Sequence, residues 1–241
     1  MPQDLLPEAL TRDLALANRI LYDQGVVDAM GHASVRHPEH PELFLLSANR
    51  APGLVRRRDI YCYRQDGSPV DTEGPRPYLE RFIHAEIYRS RPDVQAVVHS
   101  HSPNVIPFAC THTALRPLFH MSGFLGSGSA HFDIRDEAGD TDMLIRNSTL
   151  GRSLASALGA QSCVLMRGHG STVVGDSLPQ AIYRAIYTEI NARLQLAASG
   201  LGEAQFLNQT EARLASEAND TQIPRSWALW VQRLGATDVD E

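Results

Sequence analysis

Helical stripes and short β-prone runs alternate along most of this chain. Apolar side chains recur every three or four residues from Leu10 to Leu21, which predicts a helix that ends near Gly25. A longer stripe predicts another helix over 178–198. Between them, the patterns predict strands over 33–35, 43–47, 59–63, 94–101 and 163–166, and helices over 79–88 and 149–158. Such alternation is typical of an α/β protein.

One core is enough for a chain of this size. The 241 residues are 43% apolar, and no change of composition divides them, so we expect one domain over residues 1–241. The segment 203–241 is more polar, but it contains Trp227 and Trp230. We therefore expect this segment to pack on the domain or on a neighbouring subunit.

Charge and cysteine usage exclude several classes of protein. The net charge of −6 gives no electrostatic footprint for nucleic acid. The cysteines, Cys62, Cys110 and Cys163, are odd in number and lack CxxC spacing, which disfavours a disulfide framework or a thiolate metal site. There is no basic start followed by an apolar run, and nowhere do 18 apolar residues run together. We expect a cytoplasmic protein with no membrane partner.

Histidines at two strand ends are the strongest chemical signal. Side chains two apart on a strand point to the same face, so the imidazoles of His99 and His101 can share one cation. Two such histidines are as often hydrogen-bonded groups of a core or surface, so this pair alone leaves both interpretations open. His169 lies between two glycines after the strand over 163–166, where functional residues collect. A lone histidine there is more often a turn residue, so it counts only together with the pair.

Glu80 and His84 lie four residues apart on the second predicted helix and share one face, so either could reach the cation. The alternative is a carboxylate near the helix N-terminus that bonds to His84. Three imidazoles and one carboxylate would leave an open coordination position for substrate, which a catalytic metal needs. These ligands accept several divalent ions, and we expect one Zn²⁺ or Mn²⁺ per subunit.

Several motifs resemble the class II aldolase and adducin family over roughly residues 8–200. They are Gly31-His32-Ala33-Ser34-Val35-Arg36, Glu80, Arg91-Pro92-Asp93, Val97-Val98-His99-Ser100-His101 and Gly168-His169-Gly170. The resemblance implies an α/β/α sandwich with a largely antiparallel central sheet, and a fourfold-symmetric homotetramer with sites between subunits. It also implies metal ligands at His99, His101 and His169, and a catalytic carboxylate at Glu80.

Two segments depart from the sugar-phosphate aldolases and epimerases of this family, which hold phosphate with small residues. Here the segments read Ser47-Ala48-Asn49-Arg50 and Arg76-Pro77-Tyr78-Leu79-Glu80. Guanidinium groups bind carboxylates, and the apolar walls of Tyr78 and Leu79 suit a flat ring. We therefore predict a small aromatic carboxylic acid as substrate. The alternative is that both arginines point to solvent.

The sequence over 76–84, together with that over 99–103, is similar to the branch of the family that decarboxylates hydroxylated benzene or pyridine dicarboxylates. This similarity implies a metal-dependent lyase in which loss of carbon dioxide leaves an enolate that the cation stabilises. The candidates for proton transfer are Glu80 and His120, the second standing where the aldolases carry a tyrosine. The candidate substrate-binding residues are His32, Asn49, Arg50, Arg76, Tyr78 and His84. A sugar-phosphate aldolase or epimerase, and a non-catalytic adducin-like binding domain, remain the alternatives.

Overall fold

A seven-stranded sheet forms the centre of the computed structural model, which describes residues 5–71, 73–235 and 239. The strands are β1 (His32–Arg36), β2 (Leu43–Ser47), β3 (Ile60–Arg64), β4 (Ala96–Ser100), β5 (Ala130–Phe132), β6 (Cys163–Met166) and β7 (Gly170–Gly175). Their order across the sheet is β3-β2-β1-β4-β7-β6-β5. Residues 1–4, 72, 236–238, 240 and 241 of the predicted domain lie outside the described residues.

Helices cover both faces of this sheet. They are α1 (Glu8–Asp23), α2 (Arg81–Ser90), α3 (Ile106–Ala109), α4 (Arg135–Ala138), α5 (Ser148–Leu158), α6 (Leu178–Ser199), α7 (Gln209–Asp220) and α8 (Ile223–Arg233). Successive side chains of a strand point to opposite faces. Accordingly, Val98 belongs to the core that contains α1, α6 and α8 residues, and Val97 to the core that contains α2 and α5 residues. The predicted arrangement of a sheet flanked by helices is thus observed.

Strand pairing brings the polar residues of β1 next to those of β4. Five of the six neighbouring pairs are antiparallel, and β5 with β6 is parallel. In the β1–β4 pair, His32 lies opposite His99 and Ser34 opposite Val97. In the β4–β7 pair, Ser100 lies opposite Ser171, so the turn before β7 lies beside the end of β4.

The sequence patterns missed β5, β7 and the tail helices, and they placed one helix start wrongly. The helix predicted over 79–88 begins at Arg81, because Glu80 uses its side chain elsewhere and makes no capping bond. β7 begins and ends with glycine, a residue that is depleted in strands. Gly170 is required there, since a Cβ atom would overlap the carbonyl oxygen of Ser100.

The tail after residue 203 lies against its own chain. Trp230 on α8 is 7% exposed and belongs to the core formed with α1 and α6. α7 packs on the 3₁₀ turn His120–Leu125, and the Leu207 amide donates to the Pro117 carbonyl at 3.0 Å. Among the helices of the described ranges, none combines the length and the apolar character that crossing a membrane requires.

Arg36 is a buried guanidinium that ties β1 to the end of α2 and the start of β4. It donates hydrogen bonds of 2.6–2.9 Å to the backbone carbonyls of Pro41, Tyr88, Arg91 and Val94. Its planar group also stacks over the Tyr88 ring, 4.8 Å from the centroid. A lysine ammonium cannot reproduce this fan of donors.

We predict that Arg36→Lys lowers the free energy of unfolding by about 3 kcal/mol, because buried carbonyls lose their partners. Arg213→Lys is the matched control, since Arg213 is exposed and, among the residues that the structure describes, its side chain pairs only with Glu217 on the same helix. Urea unfolding monitored by circular dichroism measures both variants. An equal decrease in the free energy of unfolding in the two variants would show that the hydrogen bonds of Arg36 add no more stability than an exposed ion pair.

Candidate metal centre

Four potential ligand atoms converge at one edge of the sheet, from Glu80, His99, His101 and His169, all within 4.8 Å of one another. The His101 Nε2 atom lies 3.2 Å from that of His99 and 3.0 Å from that of His169. The Glu80 Oε2 atom lies 3.6 Å and 3.5 Å from the same two nitrogens. A tetrahedral ion with bonds of about 2.0–2.1 Å holds its ligand atoms roughly 3.3 Å apart. The spacing therefore fits a small divalent cation.

Each ligand comes from the end of an element. His99 is fully buried on β4, and His101 lies one residue beyond the end of that strand. His169 lies in the turn between β6 and β7, where Gly168 has a φ of 66° that glycine adopts without strain. Glu80 directly precedes α2. The antiparallel β4–β7 pairing brings the turn and the strand end together.

The outer nitrogens of two imidazoles fix which ring atoms face inward. His169 Nδ1 lies 2.9 Å from the Met143 carbonyl oxygen, which can only accept, so Nδ1 carries the proton. His99 Nδ1 lies 3.4 Å from the Thr172 hydroxyl, which itself donates to the Met166 sulfur. In the neutral form of each ring the lone pair is therefore on Nε2, and both Nε2 atoms lie within 3.6 Å of the Glu80 carboxylate. The repulsion between these lone pairs and the carboxylate is relieved by a shared cation, and outer hydrogen bonds of this kind orient metal-binding histidines.

Burial and charge set the protonation of the cluster. Burial alone would raise the pKa of Glu80, but the His169 hydrogen bond, the neighbouring imidazoles and the Ile145 amide, 3.0 Å from Oε1, outweigh it and lower the pKa to about 2. Burial lowers the pKa of His99 and His101. For His169 burial acts in the same direction, but the Glu80 carboxylate outweighs it and raises the pKa. Metals bind an ionised carboxylate and neutral imidazoles, so a bound cation would take the place of the proton that the Glu80 carboxylate favours on His169.

A second buried cluster lies beside the first. His32 Nδ1 is 2.6 Å from His84 Nε2, and His84 Nδ1 is 2.6 Å from the Ser34 hydroxyl, which is 2.7 Å from the Tyr88 hydroxyl. His84 therefore faces His32 and Ser34, although it is four residues from Glu80. Burial lowers the pKa of His84 to about 3 and that of His32 well below its ordinary value, so both rings are neutral at pH 7.

Ser34 and Tyr88 were not predicted from the sequence. A signal was present, because Ser34 follows His32 by two residues on a strand and Tyr88 follows His84 by four residues on a helix. Both spacings place the pair on one face. The pattern was overlooked because serine and tyrosine are common in strands and helices without any such role.

The two segments that depart from the sugar-phosphate pattern are tied together. The Tyr78 hydroxyl donates to the Arg50 carbonyl and accepts from the Arg50 amide at 3.3 Å. The Asn49 amide donates to the Arg76 carbonyl at 3.1 Å. Tyr78 is buried and its ring lies 4.5 Å from that of His32. Its hydroxyl is thus engaged by the backbone, and only its ring remains to contact a ligand.

The two predicted carboxylate-binding arginines differ in their surroundings. Arg50 donates to the Leu54 carbonyl at 2.7 Å and lies 3.2 Å from Asp59. Arg76 is exposed, and within the described ranges its side chain makes no hydrogen bond or ion pair. Arg76 is therefore the more accessible cation of the two.

His120 is placed apart from this cluster within one chain. It is exposed at the start of a 3₁₀ turn, and its carbonyl accepts from the Asn219 amide at 2.8 Å. In the part of the chain that the structure describes, no hydrogen bond or ring contact links its imidazole to the metal-binding cluster. Its role in proton transfer stays a prediction.

Comparison with known proteins identifies relatives along nearly the whole chain. The family model for the class II aldolase and adducin N-terminal domain matches residues 12–196. The decarboxylase tropJ of Talaromyces stipitatus is 43% identical over 239 residues, covering 89% of this chain and 90% of that protein. The 3,4-dihydroxyphthalate decarboxylase of a Terrabacter species is 31% identical, covering 92% of this chain and 95% of that protein.

A solved structure shares the fold. The L-fuculose 1-phosphate aldolase from Glaciozyma antarctica PI12 superposes with a TM-score of 0.79 at 24% sequence identity, covering 97% of this chain and 92% of that one. Together, these matches confirm the family resemblance that the motifs predicted, including the similarity to decarboxylases.

We predict that the protein binds one divalent cation per chain and that His101→Ala weakens this binding at least about tenfold, because a ligand is lost. Titration calorimetry with Zn²⁺ and metal analysis after dialysis measure the affinity and the stoichiometry. His112→Ala, at an exposed histidine outside the cluster, is the control and should bind like the parent. Unchanged affinity in His101→Ala would exclude the cluster as the site.

We also predict that acid destabilises the metal-free protein partly through His84. The pKa of His84 is about 3 in the folded state and near 6.5 in the unfolded state. Protonation of the unfolded state therefore costs no stability well above pH 6.5, and it lowers the free energy of unfolding progressively as the pH falls below 6.5. Between pH 7 and pH 5, His84 should lower the free energy of unfolding by about 2 kcal/mol. Urea unfolding at both pH values should show this extra loss in the parent and not in His84→Gln. An identical pH dependence would contradict the prediction.

Proposed function

The chain belongs to the class II aldolase and adducin family, and from this premise we propose that it is a metal-dependent decarboxylase of a hydroxylated aromatic dicarboxylate. One observation carries the proposal: a cluster of Glu80 and three histidines occurs in a chain whose relatives at 43% and 31% identity are named decarboxylases.

The three histidines would hold the cation and Glu80 would complete its surroundings. A bound divalent cation supplies Lewis acidity, which stabilises negative charge on a substrate oxygen. Zn²⁺ and Mn²⁺ both suit imidazole and carboxylate ligands. The backbone amide of Ile145 holds one oxygen of Glu80, which leaves Oε2 near the Nε2 atoms of His99 and His169.

Glu80 is placed to move a proton. A carboxyl group with a pKa of about 2 is ionised at neutral pH, so it accepts protons before it donates them. We propose that it takes the proton of a ring hydroxyl and delivers it to the ring carbon that bears the adjacent carboxylate. The resulting β-keto-acid-like tautomer loses carbon dioxide when the carbon–carbon bond breaks, and the electron pair moves to the keto oxygen, which restores the aromatic ring as a phenolate. A proton from solvent then neutralises that oxygen.

Substrate recognition would come from the two tied segments. Arg76 is the exposed cation, and a guanidinium binds a carboxylate through two parallel hydrogen bonds. The buried Tyr78 ring offers an apolar wall next to His32. Asn49 is exposed on the partner segment and can supply a polar contact. Arg50 would contribute only after leaving Asp59 and the Leu54 carbonyl.

We propose that the protein is a cytoplasmic homotetramer. Its sites would then lie near the subunit interfaces. In that assembly the exposed imidazole of His120 would transfer a proton in the site of a neighbouring subunit. Measurement of mass in solution tests the assembly, and mixing Glu80→Gln with His120→Ala chains tests sharing. Recovered activity in mixed oligomers would support a shared site, and its absence would place both functions in one chain.

We predict that metal-reconstituted protein releases carbon dioxide from an ortho-hydroxy aromatic dicarboxylate and that His99→Ala or chelation lowers the rate at least about a hundredfold. A panel including 3,4-dihydroxyphthalate is assayed by carbon dioxide release and by product chromatography. Arg76→Lys should raise KM about tenfold with little change in kcat, because it weakens binding of a carboxylate that does not react.

Two controls make the result specific. Arg152→Lys changes an exposed arginine outside the segments and should leave both kinetic constants unchanged. A ketose 1-phosphate is offered in parallel. Cleavage of that sugar phosphate with no carbon dioxide released from any aromatic acid would replace the decarboxylase with the aldolase alternative, and a metal-free protein that turns over neither would revive the binding-domain alternative.

A further inference from the structure

The buried chain of hydrogen-bonded side chains beside the metal centre can donate in either of two directions. It runs from Tyr88 through Ser34 and His84 to His32, with heavy-atom distances of 2.7, 2.6 and 2.6 Å. All four residues are at most 3% exposed. We call these four side chains the relay. A buried hydroxyl or ring nitrogen without a partner is costly, so the arrangement of protons is decided by counting partners.

Two directions can be compared. In the first direction His32 donates to His84, His84 donates to Ser34 and Ser34 donates to Tyr88. The Tyr88 hydroxyl is then a donor with no acceptor among the described residues. In the opposite direction Tyr88 donates to Ser34, and Ser34 donates to His84 Nδ1. A neutral His84 then carries its proton on Nε2 and donates it to His32 Nδ1. In this direction the Tyr88 hydroxyl, on a residue that is 1% exposed, has an acceptor, and among the described residues only the Nε2–H of His32 is left without one.

The direction fixes the tautomer of His32. Because Nδ1 accepts, a neutral His32 carries its proton on Nε2. This atom has no hydrogen-bond partner within residues 5–71, 73–235 and 239, yet it is not one of the fully enclosed unpaired atoms, so it borders accessible space. The His32 ring lies 5.1 Å from that of His99 and 4.5 Å from that of Tyr78. Its free N–H thus lies between a metal ligand and the apolar wall.

We propose that the relay locks His32 as a hydrogen-bond donor from Nε2 to an anionic oxygen of the substrate, either a carboxylate or a phenolic oxygen. His32 is then a substrate-binding residue, and Tyr88, Ser34 and His84 are positioning residues that act through it. This inference rests on the proposed function for the identity of the substrate. The fixed tautomer selects anionic or carbonyl oxygens and rejects a ligand that presents its own donor at this point.

The tautomer is read directly by NMR of ¹⁵N-histidine-labelled, zinc-loaded protein, with the signals assigned from His32→Gln and His84→Gln. We expect protonated Nε2 and unprotonated Nδ1 on both His32 and His84. In Ser34→Ala the donor to His84 is lost, and the His32 signals should shift toward a mixture of tautomers. A protonated Nδ1 on His32 in the parent protein overturns the proposal, whatever the variants do.

Binding is measured with two probes that each carry one kind of oxygen. Phthalate has two carboxylates and no hydroxyl, and catechol has two hydroxyls and no carboxylate. We expect His32→Phe to weaken binding of at least one probe about tenfold or more, since a bond to a charged acceptor is lost, and Ser34→Ala about threefold. His32→Gln keeps an N–H donor and should stay within about threefold of the parent. His112→Phe is the matched control and should bind normally.

The probe that loses affinity identifies the oxygen that His32 contacts. Loss for phthalate alone means a carboxylate, loss for catechol alone means a phenolic oxygen, and loss for neither overturns the proposal. Phthalate lacks the ring hydroxyl and is not expected to react, so binding is separate from turnover. Phthalate binding that depends on His32 in a protein with no decarboxylase activity would refute the proposed function and leave this inference standing.

Discussion

The antiparallel pairing of β1 with β4 is the constraint on which the whole site depends. It sets His32 opposite His99 and Ser34 opposite Val97, which places the polar residues of β1 on the face that α2 covers. Because side chains alternate, a slip of one residue would turn His99 toward the apolar core on the other face. The register of this one strand pair therefore specifies both the candidate metal ligands and the relay.

Burial of the polar side chains of β1 is tolerated because each makes at least one hydrogen bond. Polar and apolar residues alternate along β1, as they do in a strand with one solvent-exposed face, yet all five of its residues are buried. His32 and Ser34 are satisfied by α2 side chains, and Arg36 by four carbonyls at the far end of the same strand. A charge or hydroxyl left alone at this depth would destabilise the protein.

The sequence predicted the parts of the fold that repeat a simple period. The long stripe of α6 and the apolar run of β6 are observed nearly at their predicted bounds. The motifs also identified the family and the four candidate ligands that the fold brings together. The sequence could not show that Glu80 precedes its helix, since spacing alone cannot separate the first helical residue from the one before it. Nor could it show that His84 binds Ser34 or that Arg50 turns to Asp59, because these depend on long-range contacts.

The tie made by the Tyr78 hydroxyl has a consequence for how such a protein can change. The Tyr78 hydroxyl bonds to the Ser47 hydroxyl and to main-chain groups of Arg50, and the hydrogen bond between Asn49 and Arg76 is main-chain to main-chain. The side chains at 49 and 76 are exposed and can be exchanged without disturbing the loops or the four ligands. Evolution can thus alter which ligand is admitted while the cluster of Glu80 and the three histidines is inherited intact, and a laboratory library confined to these two positions would sample new ligand specificities on an unchanged cluster.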